Sequence, residues 1–451
     1  MPLSGIEIFK LLPGGQKPPS PKANCKECGL PTCMAFGMKL AAKQVQLSDC
    51  PHVSEESKTK LEESSSPPIR LITLKGMGSE VKVGNEVCLY RHEKTFYNRP
   101  GLFIRVFASQ QDLATVVKQA DTYHVSYVGT DFGVNGFAIE ADGSADAFAT
   151  AVKTVRSISK LPLMLISGDA AVLAAGVAAL PGETPLLSGA DAGNWQAMAD
   201  LAGKHKLPLT VRGDSLESLA ELTEKIKAKG VEDLVLQPDG KNLGAALIQS
   251  TQIRRLALKN FRALGYPMIS FACNAGSPDR ESLLAAQAIA KYSGFIVLDQ
   301  FVPELVYSLL VLRENIYTDP QKPIQVQPGV YEINHPKSDS PVLVTTNFSI
   351  TYFSVANEVE GAGIPAWLVV TDAEGMSVLT AWAAGKFDAE RIAKAIKEFN
   401  VADKVTKKQI CIPGHVAVLS GELEEELPGW DIKVGPREAV DLPAFIKQVI
   451  S

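Results

Sequence analysis

The chain has 451 residues, and 45 Lys and Arg against 50 Asp and Glu give it a formal net charge of −5. This length allows two or three domains, each with its own core. The mild acidity offers no electrostatic reason to expect nucleic acid or an anionic membrane as a partner. The N-terminus lacks a basic segment before an apolar core, and Gly168 and Asp169 interrupt the most apolar window, 161–180. We therefore expect neither a signal peptide nor a membrane-spanning helix.

Four of the seven cysteines cluster near the N-terminus, with the spacing Cys25-x2-Cys28-x4-Cys33-x16-Cys50 and Pro51 directly after the last. An odd number of cysteines, clustered in this way, is typical of a metal site in a reducing compartment. Four thiolates complete the ligand shell of a 4Fe-4S cluster, and a proline after the last ligand follows the ferredoxin pattern. A zinc site with four thiolates is the alternative, although such sites usually show two well-separated C-x2–4-C pairs. The remaining cysteines lie in apolar runs and are expected to be buried: Cys88, Cys273 and Cys411.

Composition divides the chain into three regions. Residues 1–60 contain the clustered cysteines and a helical stretch, Met34–Lys43, and we predict that they form a small cluster domain. The polar stretch 62–68, with the sequence EESSSPP, follows. Such a stretch cannot bury apolar area and indicates a domain boundary.

Residues 69–320 alternate short apolar runs with amphipathic helical segments. The eight runs predicted as strands are Val87–Arg91, Tyr123–Val128, Leu161–Ile166, Thr184–Leu187, Leu207–Arg212, Asp233–Gln237, Met268–Ala272 and Phe295–Asp299. Helical patterns lie between them, for example at Ala145–Ser157 and Leu216–Lys229. Eight strand–helix repeats in about 250 residues predict a TIM (β/α)8 barrel. An open doubly wound sheet is the alternative that this alternation also permits.

A proline-rich connector, Asp319–Pro341, leads into the last predicted domain, residues 330–451. Its predicted strands are Val342–Val344, Ala366–Thr371, Gln409–Ile412 and Ile432–Val434. Helical patterns follow at Ala389–Glu398, at about His415–Glu426 and at Arg437–Val449, while the pattern near Ser354–Glu360 is weaker. Four strand–helix units predict a small doubly wound α/β domain.

Four stretches of the sequence match a known family. They are GIEIFKLLP…NCKECGLPTCMAFGMKLAAKQVQLSDCPHVS from Gly5, EVCLYRHEKTFYN from Glu86, TTNFSITYFSVANEVE from Thr345 and GMSVLTAWAAGKF from Gly375. In these motifs and in the order of its regions, the chain resembles the large (gamma) subunit of the corrinoid iron-sulfur protein. That protein serves the carbon monoxide dehydrogenase/acetyl-CoA synthase (Wood–Ljungdahl) pathway. The resemblance covers essentially the whole chain, and the cysteine motif together with the Gly375 segment is much more specific than the cysteine spacing alone.

The resemblance implies a methyl carrier. A corrinoid (cobamide) in the C-terminal domain would accept a methyl group, as Co(I), from methyltetrahydrofolate held on a separate methyltransferase. As methyl-Co(III) it would donate that group to acetyl-CoA synthase, and the 4Fe-4S cluster would return oxidised Co(II) to Co(I). A heterodimer with a small subunit, in the cytoplasm of an anaerobe, is also implied. None of the six histidines stands in an Asp-x-His-x-x-Gly motif, which fits base-off binding without a histidine ligand.

The position of the cobamide follows from the fold. Ligands of open α/β sheets lie beyond the carboxyl ends of the strands, which here selects 345–351, 371–380, 413–415 and 435–438. With the resemblance, the candidate cobamide-binding residues are Thr345, Thr346, Thr351, Gly375, Met376, Ser377, Val378, Thr380, Gly414, Arg437 and Glu438. The alternative is that Gly375 and Ser377 form an ordinary turn and that Arg437, which we expect to open a helix, is solvated. We interpret His415 as a helix-start or surface residue and not as an axial ligand.

Six polar residues lie near predicted carboxyl ends of barrel strands, where barrel enzymes hold their catalytic groups: Asp131, Asn135, Asp169, Asp239, Asn274 and Asp299. Caps of loops and helices would account for the same residues. The resemblance implies that the barrel docks the small subunit and frames one face of the corrin. Two alternatives remain open, namely an iron-sulfur electron-transfer protein without cobamide and a pterin-dependent methyltransferase that acts through the barrel.

Overall fold

The computed structural model describes residues 4–42, 44–58, 61, 67–127, 130–238, 242–319 and 325–450. In this part the chain forms two compact units. The first comprises the described residues of Met1–Tyr123 and Gly133–Tyr317, and the second comprises those of His124–Phe132 and Thr318–Ser451. No helix within the described ranges is long and apolar enough to cross a membrane.

The first unit begins with two short helices on either side of the cysteine loop, α1 (Gly5–Leu11) and α2 (Cys33–Ala41). They pack closely because Gly37 of α2 faces the backbone of Gly5, and a Cβ at Gly37 would lie only 2.9 Å from the Gly5 carbonyl oxygen. Phe36 fills the core beside this contact and is 1% exposed. The helix pair therefore provides a rigid base for the loop that carries the cysteines.

Two antiparallel hairpins stand outside the barrel. They are formed by β1 (Ile72–Lys75) with β2 (Glu80–Val83) in the first unit, and by β4 (Val125–Tyr127) with β5 (Thr130–Phe132) in the second. The first hairpin packs Ile72, Leu74 and Val83 into the barrel core. A Cβ added at Gly294, near the start of a barrel strand, would lie 2.9 Å from Val83 Cβ, so this hairpin covers the amino end of the barrel.

Eight parallel strands of the first unit close into a barrel in the order β10-β11-β12-β3-β6-β7-β8-β9. The strands are β3 (Gly101–Phe107), β6 (Gly136–Glu140), β7 (Leu163–Ile166), β8 (Leu186–Ala190), β9 (Leu209–Gly213), β10 (Leu234–Pro238), β11 (Met268–Phe271) and β12 (Ser293–Leu298). The helices around them are α3 (Leu113–Asp121), α4 (Ala145–Ile158), α5 (Ala170–Ala178), α6 (Trp195–His205), α7 (Leu216–Ala228), α8 (Leu243–Leu258), α9 (Pro278–Ala290) and α10 (Pro303–Ile316). The predicted TIM barrel is confirmed.

Two of the eight predicted strands were wrong, although their number was right. The segment Val87–Arg91 has no regular structure, with Val87 42% and Tyr90 41% exposed. The predicted strand Tyr123–Val128 contains β4, which pairs with β5 and not with the barrel.

The true first and second strands are β3 and β6, which the sequence analysis passed over. A barrel strand is buried on both faces and so needs a continuous apolar run. Leu102, Phe103 and Ile104 supply one and are fully buried. The segment Val87–Arg91 is followed by His92, Glu93 and Lys94, which cannot enter such a core.

The second unit contains a five-stranded sheet in the order β13-β15-β14-β16-β17. Its strands are β13 (Gly329–Ile333), β14 (Val342–Thr346), β15 (Ala366–Thr371), β16 (Gln409–Ile412) and β17 (Asp431–Val434). The last four are parallel and β13 is an antiparallel edge strand. The strand order reverses between β14 and β16, which is the topological switch point of a doubly wound sheet.

Helices cover both faces of this sheet. They are α11 (Ser349–Gly361), α12 (Val378–Ala383), α13 (Ala389–Glu398), α14 (Val401–Lys404), α15 (Ser420–Glu426) and α16 (Leu442–Phe445). Because side chains alternate along a strand, Val342 and Val344 pack against α13 and α15, and Leu343 packs against α11 and α16. The predicted doubly wound arrangement is therefore present in this unit.

Two parts of the second unit differ from the sequence analysis. The predicted connector Asp319–Pro341 contains β13, which the sequence analysis did not anticipate. Prolines near the ends of an edge strand are tolerated because no second strand needs their missing N–H groups. The weak pattern at Ser354–Glu360 belongs to the regular helix α11.

Candidate functional site

The four cysteines of the motif converge on one small cavity. Cys25 and Cys28 lie in the loop before α2, Cys33 is the first residue of α2, and Cys50 follows the 3-10 helix Leu47–Asp49. All four side chains line the cavity. Each is a free thiol, and the last two are buried while the first two are partly exposed. The fold thus brings the predicted ligands together as one set.

The loop that holds the first cysteines bends tightly because three of its residues have left-handed backbone angles. Asn24, Lys26 and Gly29 have φ values of 54°, 66° and 75°. The Asn24 side chain accepts the N–H of Cys33 at 2.8 Å, and the Asn24 N–H donates to Cys33 Sγ at 3.3 Å. Cys33 is also the first residue of α2. These backbone contacts fix the position of the Cys33 sulfur in the cavity.

The spacing of the four sulfurs can be compared with that of a zinc site. Zn–S bonds of about 2.3 Å place the sulfurs of a tetrahedral site about 3.8 Å apart. Among the described residues, no three of these cysteine sulfurs form a group whose members all lie within 4.8 Å of one another. Burial raises the pKa of the Cys50 thiol, and the three neighbouring cysteines raise it further. The four sulfurs are therefore spaced more widely than the ligands of one tetrahedral zinc ion.

A histidine–carboxylate pair braces the cysteine loop. His52 Nε2 lies 2.8 Å from Glu27 Oε2 and so joins the segment after Cys50 to the turn between Cys25 and Cys28. The hydrogen bond with His52 lowers the pKa of Glu27. Ligand atoms of Cys25, Glu27 and His52 lie within 4.8 Å of one another, so this mixed set could also hold a metal ion. The sequence analysis missed the pair.

A second candidate site is a pocket of about 560 Å³ at the carboxyl edge of the five-stranded sheet. Its walls come from the ends of β14, β16 and β17, from α11, and from the start of α12. This is the switch point between β14 and β16, where doubly wound sheets bind their ligands. The volume lies in the usual range for small-molecule and cofactor pockets.

The pocket contains about half of the predicted cobamide-binding residues. Those that line it are Thr345, Thr351, Ser377, Val378, Arg437 and Glu438. Those that do not are Thr346, Gly375, Met376, Thr380 and Gly414. Residues that the sequence analysis did not propose include Ile350, Ser354, Asn357, Leu379 and Val440. Ile350, Ser354 and Asn357 belong to α11. This helix packs one face on the sheet and turns another face to the pocket, so it lacks the clear polar face by which a surface helix is recognised in a sequence. The sequence therefore contains no signal for these residues.

A buried asparagine positions the Gly375 loop at the edge of the pocket. Asn347 is 1% exposed, and its Oδ1 accepts the N–H groups of Ala373 and Gly375, both at 2.9 Å. Its Nδ2 donates to Asp372 at 3.3 Å and to Gln325 at 3.4 Å. Gly375 itself has a φ of 72°, which favours glycine. Although Gly375 does not line the pocket, its backbone leads directly to the pocket residues at the start of α12.

Two adjacent threonines at the end of β14 carry buried hydroxyl groups. Thr345 and Thr346 are both 0% exposed, and neither Oγ1 has a hydrogen-bond partner within the described residues. Leaving a buried hydroxyl unpaired costs about 1–3 kcal/mol. Thr345 lines the pocket and Thr346 does not. A polar group of a ligand can therefore satisfy Thr345, so the pocket fits a ligand with amide or phosphate oxygens.

The loops after β16 and β17 form the other wall. A Cβ at Gly414 would lie 2.5 Å from the Gly435 carbonyl oxygen, so the two loops are in backbone contact. His415 lines the pocket as the second residue of a 3-10 helix that begins at Gly414. Arg437 is exposed at the rim and does not open a helix as predicted, because the next helical turn is Ala439–Asp441.

The six polar residues proposed for the barrel do not form a common site. Asp131 lies in β5 outside the barrel, and Asn135 lies at the amino end of β6, where it accepts the Leu102 N–H at 3.0 Å. Asp169 caps α5, and Asp239 is outside the described residues. The predicted capping role is confirmed for Asp169.

The remaining two, Asn274 and Asp299, lie at the carboxyl end of the barrel, where both contact one arginine. Arg105 Nε donates to Asp299 at 3.1 Å, and Arg105 Nη1 donates to Asn274 at 3.2 Å and to Glu140 at 3.1 Å. Asp299, Asn274 and Glu140 are thus all bonded to Arg105 at the barrel mouth.

The fold and the two sites define an α/β protein with a cysteine metal centre and a separate ligand-binding α/β sheet. A model of the CO dehydrogenase/acetyl-CoA synthase delta subunit family matches residues 72–446, and a model described as an Fe-S cluster matches residues 21–52. The corrinoid/iron-sulfur protein large subunit of Moorella thermoacetica is 42% identical over 99% of this chain and 99% of its own length. The acetyl-CoA decarbonylase/synthase complex subunit gamma of Methanopyrus kandleri is 33% identical over 99% of this chain and 98% of its own length.

The chain belongs to the CO dehydrogenase/acetyl-CoA synthase subunit family that includes these corrinoid/iron-sulfur protein large subunits. This confirms the family that the sequence motifs indicated. Among solved structures, dihydropteroate synthase of Thermus thermophilus is 15% identical to this chain. The alignment covers 55% of this chain and 100% of the synthase chain, with a TM-score of 0.38. That likeness is too low to carry an argument.

Proposed function

We propose that this chain is a corrinoid iron-sulfur methyl carrier, with a cobamide in the pocket of the second unit and a 4Fe-4S cluster on the four cysteines. The observation that carries the proposal is the pocket at the β14/β16 switch point, lined by Thr345, whose buried hydroxyl has no partner among the described residues. Full-length relatives named as corrinoid/iron-sulfur proteins support it. We assign the cluster to residues 1–60, the barrel to 69–320 and the cobamide to 330–451.

At the pocket, the role of the chain is to bind the cobamide and to orient it. When bound, the cobamide supplies the cobalt that accepts a methyl group as Co(I) and later donates it. Thr345, Thr351 and Ser377 present hydroxyl groups to the amide and phosphate oxygens of the ligand. Backbone N–H groups at the start of α11, which has no side-chain cap, suit the same oxygens. Arg437 at the rim can pair with phosphate.

At the N-terminus, the cluster is held by the four cysteines that line one cavity, Cys25, Cys28, Cys33 and Cys50. When bound, the cluster supplies the low-potential electron that returns oxidised cobalt to its active state. Asn24 donates an N–H to the Cys33 sulfur, and hydrogen bonds to cluster sulfurs are among the factors that set the potential.

The methyl carrier is favoured over the other two functions considered. Of the barrel residues proposed for a pterin-dependent methyltransferase, Asn274 and Asp299 lie at the barrel mouth and are bonded to Arg105. An electron-transfer protein without cobamide would not need the pocket of about 560 Å³ in the second unit. The methyl carrier accounts for both sites.

The partners follow from this role. A separate methyltransferase that holds methyltetrahydrofolate donates the methyl group, and acetyl-CoA synthase accepts it. The small subunit completes a heterodimer with this chain, in the cytoplasm of an anaerobe.

Anaerobic purification of the full chain together with its small subunit tests the proposal. Iron, sulfide and cobalt are quantified per chain, and the visible spectrum is recorded. We expect four irons, four sulfides and one cobalt, as the proposed cofactors require. A preparation without corrin absorbance, or with zinc in place of iron, would show that the proposal is wrong.

A further inference from the structure

One of the four sequence stretches that match the family, Glu86–Asn98, takes no part in either candidate site. None of its residues lines the cysteine cavity or the pocket of the second unit. The segment has no helix or strand, yet its own side chains hold its backbone. Glu93, for example, accepts the N–H groups of Leu89 and Tyr90, both at 3.2 Å. The two cofactors give no reason for this ordered conformation, so the segment needs another explanation.

Glu86, the first residue of the segment, joins its two ends. It is 5% exposed, and its Oε1 accepts the N–H groups of Tyr97 at 2.9 Å and of Asn98 at 3.2 Å. The other carboxylate oxygen, Oε2, is buried and has no hydrogen-bond partner among the described residues. Burial raises the pKa of Glu86, and the positive charge of Arg254 opposes that shift. One oxygen of a buried carboxylate is therefore left without a donor.

Arg254 of α8 supplies the opposite charge. It is 3% exposed, and its Nε and Nη1 have no hydrogen-bond partner in the part of the chain that the structure describes. The guanidinium carbon lies 4.6 Å from the ring centre of Tyr292 and 5.7 Å from that of Phe96, which belongs to the Glu86–Asn98 segment. Ring faces stabilise the positive charge. They leave both N–H groups without an oxygen acceptor, and a buried charge needs such hydrogen bonds.

Glu86 and Arg254 line the same small cavity, which has a volume of about 20 Å³. The cavity lies at the amino end of the barrel, because the first residues of β11 and β12, Met268 and Ser293, also line it. A cavity of roughly 10–15 Å³ holds one water molecule, which needs about two to four polar partners. The cavity therefore has room for one water molecule, whereas phosphate or a fragment of a cofactor is too large for it.

We infer that this cavity is a binding site for one water molecule that joins Glu86 to Arg254 and so completes a buried ion pair. The guanidinium offers only donors and the carboxylate only acceptors. A water molecule can accept an N–H of Arg254 and donate an O–H to Oε2 of Glu86, and such a bridge is nearly as favourable as a direct hydrogen bond. The bridge assigns a role to the Glu86–Asn98 segment, which it anchors to α8. The amino face of a TIM barrel serves stability, while ligands bind at the carboxyl face.

A high-resolution crystal structure of the full chain with its small subunit tests the water directly. We expect one ordered density peak within about 2.7–3.2 Å of Glu86 Oε2 and of Arg254 Nε or Nη1. A direct hydrogen bond between the two side chains, or a cavity without density, would overturn the inference.

The variants Arg254→Met and Glu86→Gln and their combination measure the coupling between the two groups. Each single change leaves one buried charge without its counter-charge and should lower the Tm by about 5 °C. The double variant removes both charges, so it should lose clearly less than the sum of the two single losses. Additive losses would mean that the two groups are not coupled, and the ion pair would be refuted.

Hydrogen exchange at Tyr97 and Asn98 shows whether the bridge holds the segment. Their N–H groups are bonded to Glu86, so their exchange should become about tenfold faster in Arg254→Met. The matched control is Arg156→Met, since Arg156 Nη2 donates directly to the buried Glu183 at 2.6 Å elsewhere in the barrel.

The control variant should lose a similar amount of stability and leave the exchange of the two N–H groups unchanged within about twofold. If exchange accelerates equally in Arg254→Met and Arg156→Met, the effect is general destabilisation and the anchoring role is wrong.

Discussion

The two candidate sites are built in different ways. The cysteine site is a short stretch of chain, residues 25–50, whose four ligands are side chains of one loop and the segments beside it. The pocket of the second unit draws on residues from 343 to 442, at the ends of several strands. The first depends on covalent metal ligands and the second on many weak contacts. Loss of one ligand should therefore disable the first site, whereas loss of one contact should weaken the second by degrees.

The largest expected effect is at the cysteine site. Cys28 is partly exposed, so Cys28→Ala removes a ligand with little disturbance of packing. We expect the cluster to be lost or incomplete and reduction of the oxidised cobalt to slow by at least 100-fold. Iron per chain and the rate of reductive activation are the measurements. Cys88→Ala, at a buried cysteine outside the site, is the control. Equal activation rates in the two variants would show that the cluster takes no part in reductive activation.

Thiol reactivity sharpens the contrast between ligand and core cysteines. Burial raises the pKa of Cys273 and of Cys411 to about 12. At pH 8, below that value, only about 1 thiol in 10⁴ is ionised, and the thiolate is the reactive form. After removal of iron, iodoacetamide should label Cys25 and Cys28 at least 100-fold faster than these two. Peptide mass spectrometry measures the labelling, with denatured chain as the control, and equal rates in the native chain would contradict the burial.

A more moderate effect is expected at Asn347, which positions the Gly375 loop. Asn347→Ala removes the acceptor of two backbone N–H groups beside the pocket, and we expect cobamide affinity to fall about tenfold to 30-fold. The control is Asn334→Ala. Asn334 also caps backbone, donating to the carbonyl oxygens of Val359, Glu360 and Ile364, and does not line the pocket.

Cobamide titration and thermal unfolding are measured for both asparagine variants. Both should lose stability by about 1–3 kcal/mol. If Asn334→Ala reduces cobamide affinity as much as Asn347→Ala does, the effect on the pocket is only general destabilisation.

The smallest effects compare the two buried threonines. Thr345→Val removes the unpaired hydroxyl of a residue that lines the pocket, and cobamide affinity should fall about twofold to tenfold, the value of one hydrogen bond. Thr346→Val removes an unpaired hydroxyl outside the pocket. It should leave affinity unchanged and raise stability by about 1 kcal/mol, since an apolar group no longer needs a partner. Equal affinities for the two variants would place the ligand elsewhere.

Much of the site could be predicted from sequence, for reasons that differ by element. The convergence of the four cysteines on one cavity was predictable because the motif is local and its residue type is chemically restricted. Residues at the carboxyl ends of strands, such as Thr345 and Ser377, were predictable because topology decides where a doubly wound sheet binds. Asn347 was missed because its importance lies in bonds to Ala373 and Gly375, which follow it in sequence by 26 and 28 positions.

The barrel shows the same limit of prediction from sequence. Its existence followed from repeated strand–helix alternation, but two strands were misplaced because short apolar runs such as Val87–Arg91 resemble strands locally. Closure of the barrel requires runs that can be buried on both faces, and β3 and β6 meet that condition. Likewise, Asn135 seemed to end a strand and in fact precedes one.

The sequence by itself determined the cysteine motif and the family, because these depend on residue identity and spacing along the chain. Tertiary structure alone decided which side chains share the pocket and which hydroxyls are left without partners. These features depend on burial and on contacts between distant segments.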